Sequence, residues 1–430
     1  MKNKIKKITP NFIVSGYHFL IALGGAIYYR FPTKKIITIG ITGTKGKTST
    51  VEILNSILEA AGHKTTIAST LRFKIGSDTK PNLLKMTMPG RAFLQKFLYE
   101  AVNKGSTCAI VEMTSEGTKQ WRHKFIYLDG LIFTNLSPEH IESHGSYEKY
   151  IQAKLKIVKT LKNSPKKNKI LITNGDDEES LKLNFPPLKK IVQTHLTEAE
   201  PYTSTIDGLF FTYKNIKIQS HLAGIFNLYN ILSAIKMAEH LGIDLLTIKK
   251  GLENFSGIPG RVEKIYPSNK SLTPYQDFDV IVDYAHTADS LDKIYSLYKD
   301  HKKVCVLGSA GGGRDTQKRA TMGKVADKYC QHIILTDEDP YDEDPKQIVA
   351  MIAEGIGSTP KTIEMDRRLA IKEALTRVTP GGVVIITGKG TDPYIMRQNG
   401  TKEPWSDAKV AKEELEKILT QRKNDDIKKG

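Results

Sequence analysis

The 430-residue chain is poor in cysteine. Its three cysteines, Cys108, Cys305 and Cys330, are far apart and form no CxxC pair, so the sequence predicts neither a disulfide framework nor a zinc site. We therefore expect three reduced thiols and a cytoplasmic location. Internal repeats and long low-complexity segments are also missing, which leaves an ordinary globular protein with enough residues for two or three domains.

Negative charge is scarce relative to positive charge. Lys and Arg number 64 against 47 Asp and Glu, so the formal net charge is +17. Such an excess favours anionic partners, which include nucleotides, acidic metabolites, nucleic acid and anionic membrane surfaces. Charge alone does not choose among these partners.

The apolar stretch near the start of the chain is too short to cross a bilayer. Residues 13–29, IVSGYHFLIALGGAIYY, follow the basic sequence MKNKIKK and superficially imitate a signal peptide. As a helix they would measure roughly 26 Å, less than a hydrocarbon core of ~30 Å, and they include Ser15 and His18. We predict a helix that packs on the protein or lies on a surface. Membrane contact and export are the alternatives.

Beyond Pro32, strand-like runs alternate with helical runs. The strand-like runs are KIITIGI, CAIVEM, LDGLIFTNL, NKILITN, FDVIVDYA, KKVCVLGSA, QHIILTDE and GGVVIITGKG. This alternation predicts an α/β protein with parallel sheets covered by helices. The connection FSGIPGRVEKIYPSNKSLTPYQ places a domain boundary near Ile258. We predict a short helical segment at 1–35, a central domain at 36–258 and a C-terminal domain at 259–430.

A glycine-rich turn joins the first strand-like run to a helical pattern. The stretch GTKGKTS is a shortened form of the Walker A loop and contains Gly43, Thr44, Lys45, Gly46, Lys47, Thr48 and Ser49. Its glycines let backbone N–H groups approach phosphate oxygens, the lysine neutralises the β- and γ-phosphates, and the threonine offers a hydroxyl to Mg²⁺. The turn predicts ATP binding. A glycine turn with solvated lysines is the alternative.

Further motifs follow this loop in order: VEMTSEG, FTNLSPEHIESH, YIQAK, FNLYN, IPGRVE, VDYAHT, GGGRDTQKR and TGKGTD. Over about residues 36–415 the chain resembles the Mur ligases, ATP-dependent amide-forming enzymes of peptidoglycan precursor synthesis, and within them the branch that makes the muramoyl tripeptide. The resemblance implies a P-loop central domain with a mostly parallel sheet and a Rossmann-like C-terminal α/β domain. It also implies that ATP activates a substrate carboxylate as an acyl phosphate, which the amine of an amino acid then attacks.

The resemblance implies a catalytic set of Lys47, Glu112, His140 and Lys154. Thr48, Glu112, His140 and Lys154 would hold Mg²⁺ beside the phosphates. A positive lysine opposes cation binding, and the family solves this by carbamylation, in which carbon dioxide converts the lysine into an anionic carbamate. Outside this motif context, Glu112 and His140 would more often be structural, and Lys154 could be a solvated helix lysine.

The far end of ATP would contact residues from both domains. By resemblance, Asn227 and Asn230 lie on the adenine side, and Arg261, Asp283 and His286 supply contacts from the interdomain and C-terminal parts. Because these residues come from different domains, we expect hinge closure that excludes water from the acyl phosphate. The two asparagines could instead cap or support the following helix.

The acceptor-side residues that the resemblance implies are Thr87, Pro89, Ser115, Gln120 and Arg122. Their polar groups and guanidinium suit a D-glutamyl carboxylate and a muramoyl peptide. The chain departs from the family's pattern at Lys45, Met88, Glu116 and Glu139. These departures leave the ATP chemistry in place and affect the choice of acceptor.

The amino-acid site that the resemblance implies consists of Arg319, Asp339, Tyr341, Gly388 and Asp392. Tyr341 stands where diaminopimelate ligases have an arginine, and a tyrosine cannot form a bidentate ion pair with a second carboxylate. The acidic neighbours Glu338, Asp339, Asp342, Glu343 and Asp344 would favour a cationic side-chain end, unless they form only a solvated loop. We therefore expect lysine, or another amino acid without a second carboxylate, to be accepted.

We expect the roughly 35 residues before the P-loop domain to hold no counterpart of the family's N-terminal uridine-nucleotide-binding domain. We expect a UDP-linked muramoyl dipeptide or a related acceptor, such as a lipid-linked one, a free amino acid, no nucleic acid, and weak membrane contact through the N-terminal helix. Two alternatives stay open. One is another amide ligase of the superfamily, such as a folylpolyglutamate or cyanophycin synthetase, and the other is a noncatalytic nucleotide-binding regulator at a membrane.

Overall fold

The computed structural model describes residues 11–90, 92–138, 144–313 and 316–428. The chain divides into two compact units. The first unit comprises the described residues up to Ser204 together with Gly208–His221 and Ile225–Ser256. The second unit comprises Thr205–Asp207, Leu222–Gly224 and the described residues from Gly257 onward.

The first unit contains an eight-stranded sheet of described strands in the order β4-β3-β2-β5-β1-β6-β7-β8. The strands are β1 (Ile37–Thr42), β2 (Thr65–Ala68), β3 (Arg72–Ile75), β4 (Asp78–Pro81), β5 (Cys108–Glu112), β6 (Gly130–Phe133), β7 (Ile170–Asn174) and β8 (Ile191–Thr194). Six of them run parallel, while β3 and β4 form an antiparallel edge. The central strands are fully buried, as expected when helices cover both faces of a parallel sheet.

The described helices of the first unit are α1 (Asn11–Tyr28), α2 (Lys47–Ala60), α3 (Phe93–Asn103), α4 (Ser115–Lys119), α5 (Tyr147–Lys162), α6 (Glu178–Leu181), α7 (Ile225–His240) and α8 (Leu245–Glu253). A separate antiparallel sheet holds β9 (Tyr202–Thr205), β10 (Gly208–Tyr213) and β11 (Ile216–Ser220). Helix α5 begins where the Ser146 hydroxyl accepts a hydrogen bond from the Lys149 N–H, at 3.2 Å. This start places Lys154 in the middle of the helix, where its side chain is buried.

Helix α1 matches the apolar stretch for which the sequence predicts a packed or surface-lying helix. Trp121 Nε1 donates to Ser15 Oγ at 2.8 Å, and the ring of Phe19 meets the ring of Trp121 at 5.4 Å. Helix α1 therefore packs on the first unit along one side. Within the residues that the structure describes, no helix is long and apolar enough to cross a membrane.

The second unit is built on a six-stranded sheet of described strands in the order β12-β13-β17-β14-β15-β16. Its strands are β12 (Glu263–Lys264), β13 (Asp279–Asp283), β14 (Lys303–Leu307), β15 (His332–Leu335), β16 (Lys361–Ile363) and β17 (Val383–Thr387), beside a small pair formed by β18 (Tyr394–Met396) and β19 (Lys402–Pro404). Its described helices are α9 (Ala288–Leu297), α10 (Gln317–Tyr329), α11 (Pro345–Ala353), α12 (Arg367–Arg377) and α13 (Asp407–Ile427). All neighbours in the sheet pair in parallel except β12 with β13, and the α/β fold prediction is confirmed.

The prediction of three reduced thiols is wrong for two of the cysteines. Cys305 on β14 and Cys330, just before β15, form a disulfide with their Cα atoms 6.1 Å apart. The two residues are 25 positions apart in sequence, but β14 and β15 are parallel neighbours, and the connecting helix returns the chain to the same end of the sheet. Cys108 remains a free, buried thiol.

Candidate active site

The glycine-rich loop leaves β1 and enters α2 in a conformation that requires glycine. Gly43 has φ +139° and Gly46 has φ +78°, both in the region that side chains disfavour. A Cβ on Gly43 would collide with Thr134 Oγ1, and one on Gly46 would collide with the Asn230 side chain. The Thr134 hydroxyl also donates to the Lys45 carbonyl at 2.6 Å. The loop is therefore held in a fixed shape against its neighbours.

Two lysines converge on the carbonyl of Gly43. Lys47 Nζ donates to Gly43 O at 3.1 Å and to Thr44 O at 2.7 Å, and Lys154 Nζ donates to Gly43 O at 2.6 Å. The hydroxyl groups of Tyr150 and Thr44 are 2.9 Å apart, and Lys154 Nζ lies 4.8 Å from the centre of the Tyr150 ring. Two side chains of helix α5, those of Tyr150 and Lys154, thus contact the loop.

A carboxylate stands at the carboxyl end of β5, beside the first turn of α2. Glu112 Oε2 accepts from Thr48 Oγ1 at 3.1 Å and from the Thr70 N–H at 2.9 Å. Its Oε1 accepts from Thr70 Oγ1 at 3.0 Å, and the Thr70 and Thr87 hydroxyls are 2.7 Å apart. Because β5 pairs with β1 and aligns Glu112 with Ile41, this carboxylate and the loop share one edge of the sheet.

The donor set at this edge fits Mg²⁺. A carboxylate and a hydroxyl are hard oxygen ligands, and Mg²⁺ usually takes one or two protein oxygens together with water and substrate phosphates. In the described part of the chain, no group of three or more His, Cys, Asp or Glu side chains could hold a metal. His140, the fourth predicted ligand, lies outside the described residues. Of the four predicted ligands, the structure therefore describes Thr48 and Glu112, which contact each other, and Lys154, which contacts the carbonyl of Gly43.

The two asparagines of α7 contact each other, and Asn230 also contacts α2. Asn230 Nδ2 donates to Asn227 Oδ1 at 3.2 Å, and Thr50 Oγ1 donates to Asn230 Oδ1 at 3.3 Å. Both asparagine side chains are buried. They lie inside α7, which begins at Ile225, so neither residue is the N-cap of this helix. Asn230 is thereby joined to α2, and its side chain lies directly beside Gly46 of the glycine-rich loop.

On the predicted acceptor side, Ser115 opens α4 and is contacted by a histidine that motif reasoning missed. His144 Nε2 lies 3.1 Å from Ser115 Oγ and 3.1 Å from Glu116 Oε1. Glu116 stands where the family has a histidine after its serines, and His144 supplies an imidazole at this place from another part of the chain. The only signal in the sequence was its position four residues after His140 in the motif FTNLSPEHIESH.

Arg122, another residue of the predicted acceptor side, donates hydrogen bonds to two neighbouring residues. Its Nη2 donates to Gln120 Oε1 at 2.5 Å, and its Nη1 donates to the Met88 carbonyl. The Met88 sulfur accepts from the Thr114 N–H at 3.3 Å, so the methionine that interrupts the family's pattern is used as a buried support. Pro89 follows it and is also buried. Partial burial lowers the pKa of Arg122.

The remaining predicted residues belong to the second unit. The Arg261 guanidinium lies 4.5 Å from the centre of the Tyr284 ring. Asp283 accepts from the Val262 N–H at 2.8 Å and from the Ala285 N–H at 2.7 Å. Burial raises the pKa of Asp283, and the charge of Arg261 opposes this shift. His286 Nδ1 lies 2.8 Å from the Tyr284 carbonyl, so Arg261, Asp283 and His286 form one cluster around Tyr284.

The predicted amino-acid site is a set of buried ion pairs. Lys389 Nζ lies 2.7 Å from Asp339 Oδ1 and 3.3 Å from Asp392 Oδ2, and the side chain of Lys389 is almost inaccessible. The Arg319 guanidinium pairs with Glu343 at 2.8 Å. Sequence reasoning missed Lys389, although it lies within the quoted motif TGKGTD. The acidic stretch is therefore only partly a solvated loop.

Glu338 and Tyr341 have unusual surroundings within this set. Burial raises the pKa of Glu338 to about 7, and its Oε2 has no hydrogen-bond partner among the described residues. Gly388 has φ +105°, and a Cβ there would collide with the Glu338 carboxylate. Tyr341 has φ +53° and lies against Gly312. Together these residues form a compact polar site within the second unit.

Comparison with known proteins identifies the same two parts of the chain. Residues 41–238 match the Mur ligase middle domain, and residues 264–390 match the glutamate ligase domain of Mur ligases. The diaminopimelate-adding UDP-N-acetylmuramoyl-L-alanyl-D-glutamate ligase of Syntrophomonas wolfei is 34% identical over 410 residues, which cover 92% of this chain and 81% of that protein. A UDP-N-acetylmuramyl-tripeptide synthetase of a Roseiflexus species is 32% identical over 421 residues, which cover 91% of this chain and 81% of that protein.

Solved structures show the same likeness. A UDP-N-acetylmuramoyl-L-alanyl-D-glutamate–2,6-diaminopimelate ligase is 27% identical with a TM-score of 0.60, over 89% of this chain and 79% of that one. The folylpolyglutamate synthase of Mycobacterium tuberculosis, complexed with ADP, reaches a TM-score of 0.69 at 15% identity. The match covers 86% of this chain and 92% of that one. At that identity, the second likeness concerns the fold alone.

Proposed function

The chain belongs to the Mur ligase family and is an ATP-dependent amide ligase of peptidoglycan biosynthesis, and on that premise we propose that it adds a free amino acid to a muramoyl dipeptide. The relatives' names support a UDP-linked dipeptide ending in D-glutamate, or a closely related acceptor. We further propose that the enzyme acts in the cytoplasm and contacts the membrane weakly through α1.

One observation carries this proposal. Lys47 and Lys154 meet at Gly43 O, beside the oxygen pair formed by Thr48 and Glu112. A glycine loop at a helix N-terminus binds phosphate, and the oxygen pair suits the magnesium ion that accompanies it. A site that only bound nucleotide would not require a second buried lysine at the same carbonyl.

Magnesium-bound ATP supplies the γ-phosphoryl group that converts the acceptor carboxylate into an acyl phosphate. We propose that Thr48, Glu112, His140 and a carbamylated Lys154 hold the magnesium ion, while Lys47 positions the β- and γ-phosphates. As a carbamate, Lys154 would exchange a buried positive charge for a negative one and present two oxygens. Tyr150 packs against this side chain and would orient it.

The other predicted residues receive roles on the same basis. We propose that residues 36–258 bind ATP and the acceptor, with Asn227 and Asn230 on the adenine side. Thr87, Pro89, Ser115, Gln120 and Arg122 would contact the acceptor. Residues 259–430 would supply Arg261, Asp283 and His286 to ATP, and Arg319, Asp339, Tyr341, Gly388 and Asp392 to the amino acid. Glu338, whose Oε2 has no hydrogen-bond partner among the described residues, supports an amino acid whose side chain ends in a cation, such as lysine.

The test is a ligation assay with defined substrates. The full chain is incubated with ATP, Mg²⁺ and UDP-MurNAc-L-Ala-D-Glu, amino acids are added singly, and phosphate release is followed together with the product mass. We expect amino-acid-dependent phosphate release and a product heavier by one residue. Glutamyl-folate with glutamate is the parallel arm. Product only in that arm, or no amino-acid-dependent phosphate release in either, would contradict the proposal.

A further inference from the structure

Helix α1 presents an apolar side that the rest of the described first unit leaves exposed. None of its residues, NFIVSGYHFLIALGGAIY, is Asp, Glu, Lys or Arg. Ile13, Tyr17, Leu20 and Ile27 are 50 to 66% exposed, and their spacing of four, three and seven residues places them along one side of the helix. A different side of the helix is fixed by Ser15 and Phe19, which contact Trp121. A helix held in place with an exposed apolar row implies an apolar ligand or surface.

A groove of about 800 Å³ runs between α1 and the segment that precedes α3. Ile13, Val14 and Ile21 line it from α1, and Leu84 and Met86 line it from the other side. Leu84 and Met86 are themselves 45% and 42% exposed. Both rims of the groove thus carry exposed apolar side chains, Ile13 and Tyr17 on one and Leu84 and Met86 on the other, which suits a hydrocarbon chain better than a sugar or a peptide.

The groove is also lined by polar groups. Gln95 lines it with a side chain that is 5% exposed, and its Oε1 accepts no hydrogen bond from any residue that the structure describes. Arg122 and Lys124 also line the groove, and Arg122 Nε likewise has no described partner. Two cationic side chains in a groove whose lining is otherwise largely apolar favour a ligand that has an anionic group.

The groove is continuous with the predicted acceptor site. Pro89, Gln120 and Arg122 line it and are also acceptor-side residues of the proposed function. A ligand that lay along α1 would therefore lead its polar end to the place where the acceptor carboxylate is activated. An acceptor that carries both an anionic head and a long hydrocarbon satisfies the aliphatic rims, the two cations and this continuity together.

We propose that the groove binds the hydrocarbon and diphosphate of a lipid-linked acceptor, a muramoyl dipeptide carried on a long-chain isoprenoid diphosphate. This inference rests on the proposed function, of which it specifies the carrier. The apolar part lies between Tyr17 on one rim and Leu84 on the other, and the anionic part lies at Arg122 and Lys124. A nucleoside diphosphate would use the same two cations but would leave the aliphatic rims without a partner.

The first test measures binding without catalysis. The full chain is titrated by calorimetry with farnesyl diphosphate, inorganic pyrophosphate and UDP. We expect farnesyl diphosphate to bind at least tenfold more tightly than pyrophosphate or UDP. Tyr17→Glu and Leu84→Glu, one on each rim, should each weaken farnesyl diphosphate at least tenfold. Leu246→Glu is the matched control, because Leu246 is 69% exposed in α8 of the same unit and does not line the groove.

The second test compares carriers in the ligation assay. In detergent-free buffer, farnesyl-diphosphate-linked and UDP-linked muramoyl dipeptides are supplied separately. We expect kcat/KM for the lipid-linked acceptor to exceed that for the UDP-linked one and to fall at least tenfold in the two rim variants, with less than a twofold change for the UDP-linked acceptor. Thermal unfolding of each variant confirms that the first unit is folded.

The outcomes separate this inference from the function on which it rests. Equal binding of UDP and farnesyl diphosphate, or rim variants that leave farnesyl diphosphate unchanged, would overturn the groove assignment even if ligation occurs. Flotation of the chain with anionic phosphatidylglycerol vesicles, without farnesyl diphosphate binding, would overturn it in favour of a membrane-surface contact. Failure of both acceptors in ligation, with farnesyl diphosphate bound at the rims, would instead contradict the proposed function.

Discussion

Lys47 and Lys154 donate to one acceptor, the main-chain oxygen of Gly43, from two different helices. Lys47 opens α2, and Lys154 lies in the middle of α5 with 2% of its surface exposed. Two ammonium groups at one carbonyl repel each other, and burial of Lys154 reduces the screening of its charge by water. The pair is therefore suited to a change of charge on one partner, and carbamylation of Lys154 would supply that change.

We expect Lys154→Ala to lower kcat at least ~100-fold, the scale of losing one preorganised electrostatic contact. Because the missing group would be an anionic ligand, acetate or propionate should restore part of the activity. Lys47→Ala should lose activity because the phosphates are no longer positioned, and acetate or propionate should restore none of it. Lys159→Ala, on an exposed position of the same helix, is the control. Loss in Lys154→Ala without rescue would contradict the carbamate role.

Glu112→Gln should raise the Mg²⁺ concentration for half-maximal activity by about 10-fold or more, since hydrogen bonds and contacts to charged groups are worth roughly 1.5–3 kcal/mol. Glutamine keeps an oxygen for Thr48 and Thr70, so the local structure should persist. Removal of Mg²⁺ with EDTA should stop phosphate release in both proteins. The measurement is a Mg²⁺ titration of phosphate release, with exposed Glu100→Gln as the control. An unchanged titration would remove Glu112 from the metal site.

Tyr341→Arg should shift the amino-acid preference toward diaminopimelate. An arginine at this position could pair with a second carboxylate, which a tyrosine hydroxyl does not, and the gain should lie between about 10- and 150-fold in relative kcat/KM. In the wild type, lysine should compete well with diaminopimelate. The measurement is competition between the two amino acids, read by product mass. Strong selectivity for diaminopimelate in the wild type that persists in Tyr341→Phe would show that another cation reads the distal carboxylate.

Glu338 should make the second unit less stable as the pH rises. Burial raises the pKa of Glu338 from 4.5 to about 7, so the folded chain keeps a proton that the unfolded chain releases. The contribution of Glu338 to the free energy of unfolding is complete below pH 4.5 and is lost as the pH rises through 7. Between pH 5 and pH 8, the free energy of unfolding of the wild type should fall by up to about 3 kcal/mol more than that of Glu338→Gln.

Calorimetric unfolding at the two pH values measures this difference. Glu354→Gln, at an exposed position of the same unit, should behave as wild type. Parallel pH dependence in wild type and Glu338→Gln would show that Glu338 is already ionised in the folded protein at pH 5.

The disulfide between Cys305 and Cys330 should be visible by thiol counting. Unfolded without reductant, the chain should expose one reactive thiol, that of Cys108, and after reduction three. In the chain-entropy account, a bridge across 25 residues stabilises the fold by roughly 3 kcal/mol, so reduction should lower the unfolding temperature. Three reactive thiols without reductant would show that the bridge does not form under the conditions used.

Local patterns predicted the elements that carry the nucleotide site. The run KIITIGI became β1 and the turn after it became the loop, because buried β-branched residues followed by glycines leave few other structures. Glu112 could be placed at a strand end for the same reason. The strands β9, β10 and β11 were not predicted, because they are only four to six residues long, although LFF in β10 and the alternation of IKIQ in β11 are strand signals.

Contacts between distant segments could not be predicted in this way. The contact of Tyr150 with Thr44 depends on how α5 packs against the loop, although the spacing of four residues from Lys154 places both on one helix face. Thr70 belongs to no motif, yet its backbone and side chain hold Glu112. The pairing of Cys305 with Cys330 required the order of the strands in the second sheet, which sequence periodicity does not give.

The exposed row on α1 also determines how the protein should be handled at the bench. Detergent monomers and lipids carried over from lysed cells have the same shape and polarity as the ligand proposed for the groove, so a preparation made with detergent would compete with its own substrate. A purification tag placed before Asn11 would be joined to the helix that lines this groove, whereas a tag after α13 would be joined to the other unit. Detergent-free purification with a C-terminal tag, checked by native mass spectrometry, would reveal any hydrocarbon that the cell had already placed there.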